Sequence, residues 1–142
     1  NKIKKDMNFV IGEKSAEAIK KNIASAYATD AQMDICGRNL VTGLPSEITV
    51  TGECVHEALA ELFQSIVDSI KIILERTPPE ISSDIYKSGL YLTGGSSRIQ
   101  NLGQFIYDEL GLKVNLCEEP ESTVIMGLGA VIEDPQLAKL AL

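Results

Sequence analysis

The sequence predicts an α/β fold with a small sheet. Three observations support this: helical and strand-like periodicities alternate, one long amphipathic helix could cover a sheet, and a strand–turn–helix–strand pattern lies in the second half. Of the 142 residues, 44% are hydrophobic and 23% charged, as in an ordinary globular protein. The composition therefore argues against intrinsic disorder, collagen-like repeats and a disulfide scaffold.

The charge balance argues against a nucleic-acid-binding surface. The net charge is −7, whereas a protein that grips a phosphate backbone carries a basic stripe. Lys2, Lys4 and Lys5 form a basic cluster whose position predicts a frayed, solvated terminus. No apolar run approaches the roughly 20 residues that cross a bilayer. Since the chain starts with Asn1 rather than Met, we expect a fragment or an excised domain.

The three cysteines indicate reduced thiols in a cytosolic protein. The number of cysteines is odd, they are widely spaced and no C-x-x-C motif occurs; they are Cys36, Cys54 and Cys117. A zinc site is not indicated, because His56 is the sole histidine of the sequence and nothing lies near it at ligand spacing. We expect His56 on a helix, at the surface or half-buried.

The first predicted helix covers residues 13–27, and Gly12 precedes it as a helix breaker. Its apolar face is formed by Ile19, Ile23, Ala26 and Tyr27. Glu17 and Lys21 are one turn apart and can form a weak ion pair. Glu17 and Lys20 are three residues apart, so they share a face. By itself such a charged pair is typical of a solvated surface.

Two short strands with an irregular connection are predicted between residues 33 and 51, with a turn at 43–46. The strongest predicted helix follows over residues 53–76, with Thr51 as N-cap and Pro78-Pro79 as its end. The apolar stripe expected to face the core consists of Val55, Ala58, Leu59, Leu62, Ile66, Ile70, Ile73 and Leu74.

The second half of the chain alternates strands and helices. In order, the pattern predicts a strand at 90–92, a tight turn at 93–97, a helix at 98–110, a strand at 114–117, a helix at 122–132 and a last short helix after Asp134-Pro135, to Leu142. Gly111 closes the helix that precedes the returning strand, which we expect to run parallel to the first strand of this pattern.

The candidate binding site is the turn Gly94-Gly95-Ser96-Ser97-Arg98, which follows a strand and opens a helix. Ligands of open α/β sheets bind at the carboxyl ends of strands, glycines allow close approach to the backbone, and a helix N-terminus supplies unpaired N–H groups. Arg98 could stack its planar guanidinium on a base. A tight turn that needs glycine for its geometry alone explains the pattern equally well, so both interpretations stay open.

Other nucleotide-binding and hydrolase motifs are absent from the sequence. The motif G-x-G-x-x-G fails at Leu92 and Ser96, no G-x-x-x-x-G-K-[ST] occurs, and G-x-S-x-G fails at Arg98. A serine triad lacks a suitable histidine. A solvated loop is predicted for the acidic cluster Glu118, Glu119 and Glu121.

Four segments of the sequence resemble the MreB family of bacterial actin-like proteins, the rod-shape cytoskeleton. They are 11–27, 37–45 (GRNLVTGLP), 74–80 (LERTPPE) and 92–95 (LTGG), and the second and third are specific to MreB-like proteins. The fourth resembles the adenosine motif of the wider actin and DnaK-chaperone superfamily. The resemblance covers nearly the whole chain and identifies it as the C-terminal part of a family member, comprising most of the second lobe.

The resemblance implies an actin-like ATPase fold, ribonuclease H-like, with two lobes around a nucleotide cleft. Residues 1–32 are then the helical segment of an outer subdomain beside the cleft, and 33–51 are its short-strand part. Residues 52–142 form an inner α/β subdomain with the adenosine-motif turn and the C-terminal helices. The resemblance also implies that the adenosine part of ATP is bound by Glu17, Lys20, Gly94, Gly95, Ser96 and Arg98.

The family's two phosphate loops, D-x-G-[TS] and D-x-G-G-x-[TS], do not occur in these residues. The resemblance therefore implies that Mg²⁺ is held mainly by residues outside this segment. Electrostatic clamping of the γ-phosphate is most of phosphoryl-transfer catalysis, so we expect no catalytic residue here and no ATP hydrolysis by the segment alone.

The resemblance also implies partners and a location. The whole protein would self-associate into filaments that govern cell shape, with this lobe on one side of a head-to-tail contact. A RodZ-type membrane adaptor is a further expected partner. We expect a cytoplasmic protein at the inner face of the cell membrane, with no contact between this segment and nucleic acid or the membrane.

Two departures from the family pattern keep alternatives open. The turn continues as Ser96-Ser97-Arg98-Ile99, closer to the chaperone version, and the tail after Pro120 retains only part of the glycine-rich pattern. These differences favour an MreB-like paralogue over the principal MreB. The alternatives are a monomeric chaperone-type ATPase of the same fold, against which 37–45 and 77–80 argue, and an interaction domain that has lost its nucleotide.

Overall fold

The computed structural model describes residues 1–134, 136 and 139. The elements in chain order are α1 (Lys2–Met7), β1 (Phe9–Val10), α2 (Glu13–Ile23), β2 (Gln32–Asn39), β3 (Pro45–Thr51), α3 (Gly52–Glu75), α4 (Pro79–Ser88), β4 (Leu90–Leu92), a 3-10 turn (Gly95–Arg98), α5 (Leu102–Leu110), β5 (Val114–Leu116) and α6 (Thr123–Glu133). The predicted α/β class is confirmed. The short helix predicted after Asp134-Pro135 lies outside the described residues.

The strands form two separate sheets. One is antiparallel with the order β1-β2-β3, and the other is the parallel pair β4-β5. The two predicted strands are confirmed and pair as an antiparallel hairpin, and the predicted parallel return is confirmed. The hairpin turn lies earlier than 43–46, because Pro45 already pairs with Arg38. The Asn39 side chain closes the turn by accepting hydrogen bonds from the backbone N–H groups of Val41 (2.8 Å) and Thr42 (3.1 Å).

The N-terminal residues form a helix with tertiary contacts, so the predicted fraying is wrong, whereas Lys4 and Lys5 are exposed as predicted for a solvated cluster. The Lys2 ammonium lies 2.8 Å from the Asp6 carboxylate and 2.9 Å from that of Glu57 on α3. Phe9 is 1% exposed. A Cβ at Gly37 would collide with the Phe9 ring, so the glycine of β2 makes room for β1. Neither α1 nor β1 was predicted from the sequence.

Two helices are shorter than their periodicity predicts, and one long-range contact explains both. Helix α2 ends at Ile23, and α5 begins at Leu102 rather than at Arg98. Between these ends Ser25 and Gln100 form a parallel bridge, in which the Ala26 N–H donates to the Gln100 carbonyl over 2.8 Å. Backbone groups that would continue each helix are engaged in this bridge instead.

Helix α3 begins and ends where the sequence predicts, but its buried face differs. The Thr51 hydroxyl caps the helix by accepting from the Cys54 N–H over 3.3 Å. Within the predicted stripe, Leu62 is 59% exposed and Ile73 65% exposed. The side chains that α3 does bury are Val55, Phe63 and Val67. The apolar stripe that periodicity indicates on α3 is therefore broader than the part of the helix that other elements bury.

Two hydrophobic clusters pack along α3, and Leu59 and Ile99 contact both. The first hydrophobic cluster consists of Ile19, Ile23, Ala24, Ile35, Val50 and Val55. The second hydrophobic cluster consists of Ala26, Phe63, Val67, Leu102 and Ile106. Helix α3 therefore connects the antiparallel sheet to the parallel pair. None of the helices among the described residues combines the length and apolar character that a bilayer crossing requires.

Candidate functional site

Two cavities of similar volume lie on either side of α2. The first, about 610 Å³, is mostly apolar and opens between α1, α2 and the start of α3. The second, about 620 Å³, lies between α2 and the 3-10 turn. We call the second cavity the α2–turn pocket, and its lining is Glu17, Lys20, Lys21, Gly95, Ser96, Arg98, Ile99 and Glu121. Its charged side chains and its glycine turn make it the candidate site.

The glycine turn is held by hydrogen bonds to the segment that follows β5. Gly94 has φ +83°, a backbone conformation that favours glycine. The buried Pro120 carbonyl accepts hydrogen bonds from the Gly94 N–H (2.6 Å) and from the Thr93 hydroxyl (2.8 Å). The Ser97 hydroxyl donates to the Gly94 carbonyl over 2.7 Å. The turn is thus fixed against the end of the parallel pair.

The predicted α-helix N-terminus at the pocket is wrong. Residues Gly95–Arg98 form a 3-10 turn, and the α-helix begins only at Leu102. The cause is the bridge between Ser25 and Gln100, which separates the turn from the helix. The pocket therefore depends on side chains and on the glycine backbone rather than on a helix dipole.

The pocket contains two ion pairs and a further cation. The Lys21 Nζ lies 2.8 Å from the Glu17 Oε1. This hydrogen bond lowers the pKa of the Glu17 carboxyl and raises the pKa of the Lys21 ammonium. The Arg98 Nε lies 3.4 Å from a Glu121 carboxylate oxygen. Lys20 forms no ion pair with any residue in the described part of the chain. Lys20 is therefore available to an anionic or hydroxyl-bearing ligand.

Five of the six predicted binding residues line this one pocket: Glu17, Lys20, Gly95, Ser96 and Arg98. The sixth, Gly94, comes directly before the 3-10 turn and does not line the pocket. Spatial proximity is shown by the structure; binding remains a prediction.

Sequence reasoning missed Lys21, Ile99 and Glu121 as pocket residues. The predicted solvated loop is confirmed for Glu121, whose side chain is 63% exposed, but the sequence did not indicate that its carboxylate pairs with Arg98. A signal for Glu121 existed in the predicted topology. Parallel strands end at the same edge of a sheet, so the loop after β5 must pass beside the turn after β4.

The pocket has the size and the polar groups of a small-molecule site. Its volume lies within the range of about 300–1,000 Å³ typical of small-molecule sites. Carboxylates can accept hydrogen bonds from ribose hydroxyls, the Arg98 guanidinium offers a flat surface, and Ile99 supplies an apolar contact. Among the described residues, no group of three or more His, Cys, Asp or Glu side chains could hold a metal ion.

The chain is similar to bacterial proteins that are named cell shape-determining proteins. A family model described as MreB/Mbl protein matches residues 1–140. The cell shape-determining protein Mbl of Bacillus subtilis is 40% identical over 136 residues, covering 94% of this chain and 41% of Mbl. The cell shape-determining protein MreB of Escherichia coli is 37% identical over 135 residues, covering 94% of this chain and 39% of MreB. The chain spans about two-fifths of the length of these curated relatives.

Solved structures show the same relationship. MreB5 of Spiroplasma citri bound to ADP superposes with a TM-score of 0.86 at 34% identity, over 91% of this chain and 40% of MreB5. The AMPPNP-bound form of MreB5 has the same TM-score, 0.86. A MamK double helical filament has a TM-score of 0.67 at 21% identity, over 84% of this chain and 37% of MamK, which shows likeness of fold alone.

Proposed function

The chain belongs to the MreB/Mbl family and has part of the actin-like fold, and on that premise we propose that its α2–turn pocket binds the adenosine part of ATP. One observation carries the proposal: Glu17 and Lys20 on α2 meet Gly95, Ser96 and Arg98 in a single cavity, although more than half the chain separates the two groups. The nucleotide-bound MreB5 structures support it by analogy.

Each pocket residue has a role in this proposal. The Glu17 carboxylate accepts a hydrogen bond from a ribose hydroxyl, and the Lys20 ammonium donates to the ribose. Gly95 lets the nucleoside approach the backbone, Gly94 supplies the positive φ that the turn needs, and the Ser96 hydroxyl donates or accepts at the edge of the nucleoside. Arg98 stacks its guanidinium on the adenine ring.

Hydrolysis would depend on residues outside this segment. When bound, ATP supplies the phosphate chain whose charge Mg²⁺ neutralises, and the phosphate-loop motifs for these groups do not occur in the sequence. We therefore propose that this segment alone does not hydrolyse ATP. Magnesium-dependent turnover by the purified segment would overturn this.

We further propose that the native protein forms a cytoskeletal filament at the inner face of the cell membrane. Head-to-tail contacts between identical subunits generate open filaments, and this lobe would supply one side of that contact. The names of the relatives, cell shape-determining proteins, support this proposal. A RodZ-type adaptor would connect the filament to the membrane.

The division into subdomains is also a proposal. Residues 1–32 and 33–51 would form the outer subdomain and 52–142 the inner one. The two hydrophobic clusters support it, since the first draws mainly on residues before Thr51 and the second mainly on residues after it.

Sedimentation of the full native chain with and without Mg-ATP tests the proposed function. We expect ATP-dependent pelleting above a sharp critical concentration. A soluble monomer that binds ATP would instead favour a chaperone-type ATPase. Failure to bind ATP at millimolar concentration would favour an interaction domain without nucleotide.

A matched pair of variants on α2 tests the pocket itself. Glu17→Ala should weaken ATP binding by about ten-fold or more, since a hydrogen bond to a charged group contributes about 1.5–3 kcal/mol. Glu13→Ala is the control, because Glu13 lies on the same helix but lines the other cavity. Equal affinities of the two variants would exclude this pocket as the nucleotide site.

A further inference from the structure

We propose that Glu121 is a positioning residue of the α2–turn pocket, which holds the Arg98 guanidinium in the orientation that contacts a purine ring. This inference rests on the proposed nucleotide function. It assigns a role to a residue whose sequence context indicated nothing but an acidic loop.

The backbone fixes where Glu121 begins. Cys117 donates its N–H to the Leu92 carbonyl over 3.2 Å, which extends the contact between the ends of the two parallel strands. Pro120 is buried, and its carbonyl accepts hydrogen bonds from Gly94 and Thr93. The residue after Pro120 therefore starts from a point tied to the glycine turn.

The side chain of Glu121 lies over that turn. Its Oε1 is 3.4 Å from the position that a Cβ would occupy on Gly95, and 3.4 Å from the Arg98 Nε. The carboxylate thus lies against Gly95 and reaches Arg98 beside the 3-10 turn. Glu121 and Arg98 both line the pocket, so their ion pair forms part of its wall.

The ion pair reduces the freedom of a long side chain. A free arginine side chain has about 2 kcal/mol of rotamer entropy, part of which it must lose to stack on a ring. A carboxylate at Nε restricts the guanidinium beforehand while its flat face stays available. The other pocket carboxylate, Glu17, is engaged by Lys21, which leaves Glu121 as the partner that orients Arg98.

A double-mutant cycle in the full native chain tests this role, with ATP affinity measured by calorimetry. Glu121→Gln should weaken ATP binding by about two- to five-fold, the range expected for an exposed ion pair. Glu118→Gln is the matched control from the same acidic loop and should bind as the wild type does. In an Arg98→Gln background, Glu121→Gln should have no further effect, which a purely structural role would not produce.

The outcomes separate the two proposals. If the wild type binds ATP and Glu121→Gln binds equally or more tightly, the positioning role is wrong and the nucleotide site stands. The same holds if Glu121→Gln costs as much in the Arg98→Gln background as in the wild type. If the wild type does not bind ATP, both the positioning role and the proposed function are overturned.

Discussion

The antiparallel sheet and the parallel pair differ in how completely the chain covers them. Strand β2 has seven partner residues on β3 and also pairs with β1, and the hairpin closes over a short stretch of sequence. Strands β4 and β5 have three partner pairs and are joined through α5. On these two strands, Tyr91 is 68% exposed and Leu116 is 57% exposed.

Helix α6 extends the contrast. It buries no residue, and its exposed apolar side chains are Val124, Ile125, Met126, Leu128 and Ile132. An antiparallel sheet tolerates one solvated face, whereas parallel strands are usually covered on both. Pairing of two strands and burial of their side chains therefore depend on different contacts. Strands β2 and β3 bury Ile35 and Val50 in the first hydrophobic cluster, whereas β4 and β5 contain no fully buried residue.

The largest expected effect concerns the antiparallel sheet. Phe9→Ala should lower the free energy of unfolding by about 3–5 kcal/mol, because it empties a fully buried site against β2. Urea unfolding of the full native chain measures this. Val41→Ala, on the exposed hairpin turn, is the control and should change stability by less than about 0.5 kcal/mol. If Phe9→Ala lowers the free energy of unfolding by less than about 1 kcal/mol, β1 contributes little to the stability of the antiparallel sheet.

A smaller effect compares the two faces of α3. Val67 is 0% exposed and Leu62 is 59% exposed. Val67→Ala should lower the free energy of unfolding by about 2 kcal/mol, because it removes buried apolar surface and leaves a small cavity. Leu62→Ala should lower it by about 0.5 kcal/mol or less. The same unfolding experiment measures both. Equal costs would mean that the exposed stripe of α3 is covered in the native protein, which would remove the contrast on this helix.

The smallest effect lies at the junction between the regions. The Tyr27 hydroxyl donates to Asp108 over 2.5 Å, and this hydrogen bond raises the pKa of Tyr27 above its ordinary value of 10.0. A raised pKa gives stability that is fully present below the ordinary value and is lost as the pH rises through the raised one. In Tyr27→Phe this alkaline loss should be absent.

Unfolding measured from neutral to strongly alkaline pH checks the Tyr27 prediction. Tyr86→Phe, at a tyrosine that is 75% exposed, serves as control. Parallel pH profiles for the wild type and Tyr27→Phe would show that the hydrogen bond to Asp108 does not connect α5 to the segment after α2.

Sequence reasoning succeeded where local interactions decide the structure. The cap of Thr51 and the prolines after Arg76 locate α3, and helix α6 lies within a residue of its predicted bounds at both ends. Helix α4 was missed, although a proline is favoured in the first turn of a helix and Pro79 begins this one. The sequence also predicted as binding residues five of the residues that line the α2–turn pocket.

Long-range contacts account for the errors. The bridge between Ser25 and Gln100 ends one helix early and delays another, although both segments have helical periodicity. The buried face of α3 depends on where α5 lies, and Glu121 becomes a pocket residue only because β5 ends beside β4. None of these outcomes has a signal within a few residues along the chain.

The sequence by itself determined the α/β class, most element positions and the family to which the chain belongs, because periodicity, caps, turn glycines and motifs act over short stretches. Only the tertiary structure decided which apolar side chains are buried and which charges meet. Glu17 and Arg98 share a pocket because the bridge between Ser25 and Gln100 joins the segments after α2 and after the 3-10 turn, and Ile99 packs against the first hydrophobic cluster. The physical reason is that backbone propensity is local, whereas burial and ion pairing depend on residues that are distant in sequence.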